Sequence, residues 1–216
     1  MLIGHYGPSF AGKAYGKTVP LWVLFLAVQL VDIAWSILVL LGIEKVRIVP
    51  GITATNPFDL YYMPYTHALP AALVWSFVAA MAYRLLMRVN DWLSVVIVGA
   101  AVFSHWVLDL LVHRPDLPLY DNAYKVGLGL WDYPAFAFAL ECALMFGGIF
   151  LYIRTTKPLD NIGRYGMVIF GLIAAVMQAY IFFGPPPTSP ESLAATALVV
   201  YAIFAAVAYW LEQKRS

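Results

Sequence analysis

The sequence predicts an all-α, polytopic integral membrane protein of about six transmembrane helices, preceded by a re-entrant or interfacial N-terminal segment. Three observations carry this. Of 216 residues, 62% are hydrophobic and 12% charged, against about 25% charged in soluble domains, and the mean hydropathy is +0.78. Six stretches approach the roughly 20 apolar residues needed to cross a hydrocarbon core. Tryptophan and tyrosine cluster near their ends (Trp22, Tyr65, Trp92, Trp131, Tyr133, Tyr165, Trp210), as an interfacial belt requires.

In chain order, the first 18 residues hold Gly4, Gly7, Pro8, Gly12 and Gly16, so no continuous apolar core of a cleavable signal peptide is expected there. A half-helix over 5–16, entering from the cytoplasmic face, would lift His5 roughly 16 Å into the membrane. The spans follow at 20–42, 67–87, 92–112, 134–153, 165–183 and 191–211. Thr188-Ser189-Pro190-Glu191 reads as a capping box that starts the last of them. Lys13, Lys17, Arg84, Arg88, Arg154, Lys157, Arg164, Lys214 and Arg215 lie on one face, and only Lys45, Arg47, Arg114 and Lys125 on the other. The positive-inside rule then places both termini in the cytoplasm.

The chain reads as one helical domain over 1–216. Residues 1–153 carry the ionisable groups, and 154–216 supply apolar scaffold helices whose most polar interior residue is Gln178. No internal repeat is apparent, which weakens a repeat-built transporter. A net charge of +1 excludes the basic excess of a nucleic-acid binder. The single Cys142 excludes an intrachain disulfide and thiolate metal sites.

The informative residues lie inside the apolar spans. Asp32 falls in the first, His67 opens the second, His105 and Asp109 share the third, and Glu141 lies in the fourth. Each mid-membrane acid costs roughly 2.5–3.5 kcal/mol, and no Lys or Arg lies at comparable depth. The acids are therefore protonated or gathered around cations. Counting a rise of about 1.5 Å per residue puts all five in one layer of the outer half of the membrane. His105 and Asp109 are i, i+4 neighbours on one helix face, a spacing that gives two ligands to one metal. His113 lies one turn further. Imidazole and carboxylate without thiolate favour Zn, with Mn or non-haem Fe as alternatives, over Mg or Ca.

Gly4-His5, Val31-Asp32-Ile33, Thr66-His67-Ala68-Leu69 and Ser104-His105 with Asp109 resemble a bacterial family of inner-membrane metal-dependent hydrolases. That family carries Gly-His, Pro-Asp-Ile-Asp, Arg-Gly-x-Thr-His-Ser and Ser-His-x-x-x-Asp in this order. The match covers roughly residues 4–120, and its two later motifs are the most specific. More remotely, the pattern is similar to the zinc-dependent phospholipase C and single-strand nuclease superfamily, which cleaves phosphoesters with three zinc ions. The resemblance implies a hydrolase of a phosphoester or lipid-like substrate with one to three ions. Asp32, His67, His105 and Asp109 would hold one ion, and His5 with Asp109 a neighbouring one.

The sequence also departs from the family. Val31 and Ala34 stand where the family has Pro and a second Asp, and Met63-Pro64-Tyr65 stands where it has His-Arg-Gly. His113, Glu141 and Asp59 are the candidates for a second metal or for a general base. Arg114 and Lys125 are the candidates for an anionic headgroup, and the segment 115–134 is a candidate lid. The localisation implied is the bacterial inner membrane, with the site toward the outer leaflet and the bilayer as partner. The sequence lacks the motifs of acid-phosphatase-type lipid phosphatases and CAAX-type proteases. Its four histidines are too few for a membrane di-iron hydroxylase. A proton- or metal-ion-coupled transporter using the same groups as a relay is the rival reading.

Overall fold

The first apolar stretch does not run straight. In the computed structural model, which describes residues 1–216, it forms α2 (Leu21–Val28) and α3 (Leu30–Leu40), bent by 53° at Gln29. No proline marks the break; polar bonds from outside hold it. Gln29 is buried and donates from Nε2 to the Leu2 carbonyl (3.2 Å). The Val28 carbonyl, which an unbroken helix would use four residues on, accepts instead from His105 Nδ1 (2.7 Å).

Before it, a 3-10 turn (Ile3–His5) leads into α1 (Tyr6–Tyr15). Ile3, Tyr6 and Phe10 are fully buried, so the N-terminal segment is a core element. It packs on α6 (Pro134–Thr155), and glycine permits the close approach. A Cβ at Gly148 would lie 2.6 Å from the Gly7 carbonyl oxygen.

Five uninterrupted helices are long and apolar enough to cross a membrane, and the bent α2–α3 pair brings the number to six if it counts as one span. After α3 these are α4 (Leu69–Leu86), α5 (Trp92–Val112), α6, α7 (Asn161–Phe183) and α8 (Pro190–Glu212). The chain is a helical membrane protein, as the composition requires. Two local expectations shift. His67 precedes α4 on a turn rather than opening the helix, because Pro70 occupies its first turn and Ala68 is extended. The α8 capping box is Ser189 with Ser192, one residue later than expected.

Two antiparallel hairpins were not anticipated. β1 (Lys45–Ile48) pairs with β2 (Phe58–Tyr62), and β3 (Leu117–Tyr120) with β4 (Ala123–Val126). They close one end of the bundle over a second, smaller core that includes Trp35, Met63, Trp106, Val112, Leu117 and Trp131. The larger core fills the rest of the bundle around Phe10, Phe25, Met145 and Phe170.

Candidate metal centre

Six of the sequence-selected residues converge. Asp109 is the hub. Its Oδ2 lies 3.1 Å from His105 Nε2, 3.7 Å from His67 Nε2 and 3.6 Å from His113 Nε2. Its Oδ1 lies 3.1 Å from His5 Nε2 and 2.9 Å from the Met1 amino group. Asp32 Oδ1 stands 3.4 Å from both His67 Nε2 and His105 Nε2. Two sets, His5/His105/Asp109 and Asp32/His67/His105, each bring their ligand atoms within 4.8 Å of one another. All six residues except Asp32 are buried. The His5 and His105 rings stack at 3.9 Å, which fixes their planes.

The outward side of each ring decides what the inward side can do. His105 Nδ1 bonds a backbone carbonyl, which only accepts, so Nδ1 carries the proton. His113 Nδ1 lies 2.8 Å from Asp116 Oδ1, again an acceptor. His67 Nδ1 lies 2.8 Å from Thr66 Oγ1, and that hydroxyl donates to Glu44 Oε2 (2.6 Å). In the neutral rings the inward Nε2 atoms are therefore lone pairs, facing carboxylate oxygens that are also lone pairs. Buried His105 Nε2 has no hydrogen-bond partner despite its short approach to Asp109. Acceptors facing acceptors in a buried space call for a cation between them. The donor set of imidazole and carboxylate fits a divalent transition metal. His105 offers one free nitrogen, so it can serve only one of the two sets at a time.

Several expected site residues have other partners. Glu141 is fully buried but accepts from the Leu2 and Gly4 N–H groups (2.9 and 3.3 Å) and from Gln178 Nε2 (3.1 Å). It anchors the N-terminal turn and stands outside both ligand sets, because the turn's unpaired N–H groups need an acceptor. Asp59 receives Arg47 Nε and Nη2 (2.9 and 2.5 Å) and Arg114 Nη2 (2.5 Å). It joins the first hairpin to the loop between α5 and β3, with both carboxylate oxygens engaged by guanidinium groups. Arg114 also bonds Asp116 Oδ2 (3.1 Å). Lys125 donates to the Tyr61 carbonyl (2.9 Å), and burial pulls its ammonium below the ordinary value. Both cations are engaged at the hairpin end of the bundle. The segment 115–134 does lie over the site, with Trp131 4.2 Å from the His113 ring. It is pinned by Leu128 N–H to Leu110 O (2.8 Å) and Gly129 N–H to His113 O (2.7 Å), so it is a fixed cover.

Three supporting residues escaped the sequence reading, Glu44, Asp116 and Tyr201, and Thr66 entered it only as part of a motif. Tyr201, on the nominal scaffold helix α8, donates to Asp32 Oδ2 (2.9 Å), so α8 contributes to the site. Its phenol inside an otherwise apolar span was a usable signal, as was Asp116 three residues after His113. Glu44 gave none. It sits in a surface-type stretch beside Lys45, yet is buried. Burial pushes its carboxyl up, opposed by His67 and by the donors on Thr66 and Tyr65.

Fold and site together define an integral membrane protein with a buried His/Asp group that could hold a metal ion. No protein-family model, curated protein or solved structure matches the chain.

Proposed function

We propose that this chain is a membrane-embedded, metal-dependent hydrolase of a phosphoester or lipid-like substrate. It would lie in the bacterial inner membrane with both termini cytoplasmic. The observation that carries the reading is the set of inward Nε2 atoms of His67, His105 and His113 around Asp109 and Asp32, each backed by an outward acceptor on Nδ1. Zinc is the cation these donors favour. When bound, it would lower the pKa of water toward about 7 and polarise a phosphoryl oxygen.

Asp32, His67, His105 and Asp109 hold the cation in this scheme, and His5 steadies the second oxygen of Asp109. With Glu141 and Asp59 engaged elsewhere, the general base falls to His113. Its Nε2 faces the cluster and its Nδ1–H is oriented by Asp116, the arrangement that readies an imidazole to take a proton from water. Access favours a membrane-resident reactant. The Asp32 side chain is 19% exposed, against 0–4% for the other five. Asp32 lies roughly 12 Å along α3 from the hairpin end, at about 1.5 Å per residue.

The test is metal analysis of the purified protein, followed by assay of phosphodiesters, phosphomonoesters and carboxylic esters in mixed micelles. Stoichiometric zinc with turnover of one class is expected, and His113→Gln should keep the metal while losing about 10²–10⁴-fold in rate. Wild type without stoichiometric transition metal would remove the hydrolase reading. Bound metal with no turnover, but cation or proton flux in liposomes, would replace it with transport.

A further inference from the structure

We infer that Glu44 is a positioning residue that sets the tautomer of His67 through the Thr66 hydroxyl, two hydrogen bonds from the cluster. The inference rests on the metal-site reading in its consequence, though not in its geometry.

Glu44 is 1% exposed and lies on the loop between α3 and β1. Its Oε1 accepts the Tyr65 and Thr66 N–H groups (2.8 and 3.1 Å), and its Oε2 accepts the Thr66 hydroxyl (2.6 Å). Three donors converging on one side chain suit a carboxylate, which only accepts. The Thr66 hydroxyl has a single proton, and Glu44 takes it. Toward His67 Nδ1, 2.8 Å away, Thr66 Oγ1 can then only accept. His67 must carry its proton on Nδ1 and present a bare Nε2 to Asp32 and Asp109.

The backbone does not replace this arrangement. His67 is fixed in position by Trp106 Nε1 donating to its carbonyl (2.9 Å) and by the edge contact of Trp35 with its ring, but neither contact distinguishes the two nitrogens. Without an acceptor at Glu44, the Thr66 hydroxyl turns to donate to Nδ1. The His67 proton then moves to Nε2, where it blocks a ligand position.

Glu44→Gln is the direct test. The Tyr65 and Thr66 N–H groups hold the amide oxygen, so the amide nitrogen faces Thr66 Oγ1 as a donor. The hydroxyl must then donate to His67. Thr66→Val removes the relay, and Thr66→Ser keeps it. Nitrogen-15 NMR of the metal-free, full-length protein, with His67 assigned by loss of its signal in His67→Asn, reads the tautomer directly. Wild type and Thr66→Ser should show the Nδ1–H form, and Glu44→Gln the Nε2–H form. Zinc affinity, measured by chelator competition, should fall about 10–100-fold in Glu44→Gln and Thr66→Val and stay within a few-fold of wild type in Thr66→Ser.

If Glu44→Gln does not fold, the Thr66→Val and Thr66→Ser pair carries the affinity test alone. An unchanged His67 tautomer in Glu44→Gln would overturn the inference, as would equal zinc affinity in Thr66→Val and Thr66→Ser. A wild type that binds no zinc but shows the tautomer change would sink the metal reading and leave the relay standing.

Discussion

Two groups of charged side chains meet at the hairpin end of the bundle, and Asp116 belongs to both. In the outer group, Asp59 and Asp116 face Arg47 and Arg114, and each acid receives guanidinium N–H bonds. In the inner group, Asp32 and Asp109 face four imidazoles, three of which have their outward nitrogen committed to an acceptor. The outer acids are satisfied by protein alone. The inner acids are satisfied on one oxygen each, Asp109 Oδ1 by the Met1 amino group and Asp32 Oδ2 by Tyr201; their other oxygens face bare Nε2 atoms, and burial makes that shortfall expensive. What stands opposite a carboxylate separates a structural acid from a ligand.

The largest effect that would break this contrast is on Asp109. Asp109→Asn removes the oxygen that three Nε2 atoms approach and leaves an amide in its place. Zinc affinity should fall by more than the roughly 10–100-fold typical of an outer-shell partner, measured by metal content after dialysis against a chelator. Asp109→Asn retaining wild-type zinc would place the cation elsewhere.

Asp59→Asn should behave in the opposite way. It strands Arg47 and Arg114 opposite a neutral amide, but Arg47 is 64% exposed and water compensates much of the loss. A destabilisation of about 1–2 kcal/mol is expected, read as a lower thermal midpoint with zinc content unchanged. A loss of zinc in Asp59→Asn would merge the two groups into one functional unit.

The inner group was largely legible in the sequence because lipid makes ionisable residues conspicuous. His67, His105, Asp109 and Asp32 stood out against apolar runs, and shared depth joined them before any contact was known. His113 lay one turn beyond Asp109, and its Nε2 stands 3.6 Å from Asp109 Oδ2 with its Nδ1 2.8 Å from Asp116 Oδ1. The outer group was misread for the complementary reason. Near the water interface a charge is ordinary, so Asp59 and Arg114 looked available when the two hairpins pair them. Those hairpins were hidden in short loop stretches, and their register aligns Arg47 with Asp59 across the strands. Glu141 was conspicuous yet misassigned, since apolar periodicity cannot show that a turn's N–H groups point at it. The break at Gln29 was hidden too, because partners distant in sequence hold it.

The smallest expected effect concerns Lys125, where the contrast can be sharpened most finely. As a headgroup contact, its ammonium would bind substrate, and Lys125→Met would raise the Michaelis constant for any phosphoester turned over. As a strut of the outer group, it holds the Tyr61 carbonyl and so fastens β4 to β2. Loss of that hydrogen bond costs about 1 kcal/mol, partly offset by burying a methionine where burial already disfavours the charge. Because the folded state lowers the Lys125 pKa, the ammonium weakens the fold below that value, and the penalty fades as pH rises through it toward the ordinary lysine value. Lys125→Met should therefore shift the thermal midpoint by a few degrees or less, with a slightly flatter stability profile at alkaline pH. Its Michaelis constant should match wild type. A raised constant with an unchanged midpoint would return Lys125 to the substrate and open the fixed cover to a functional role.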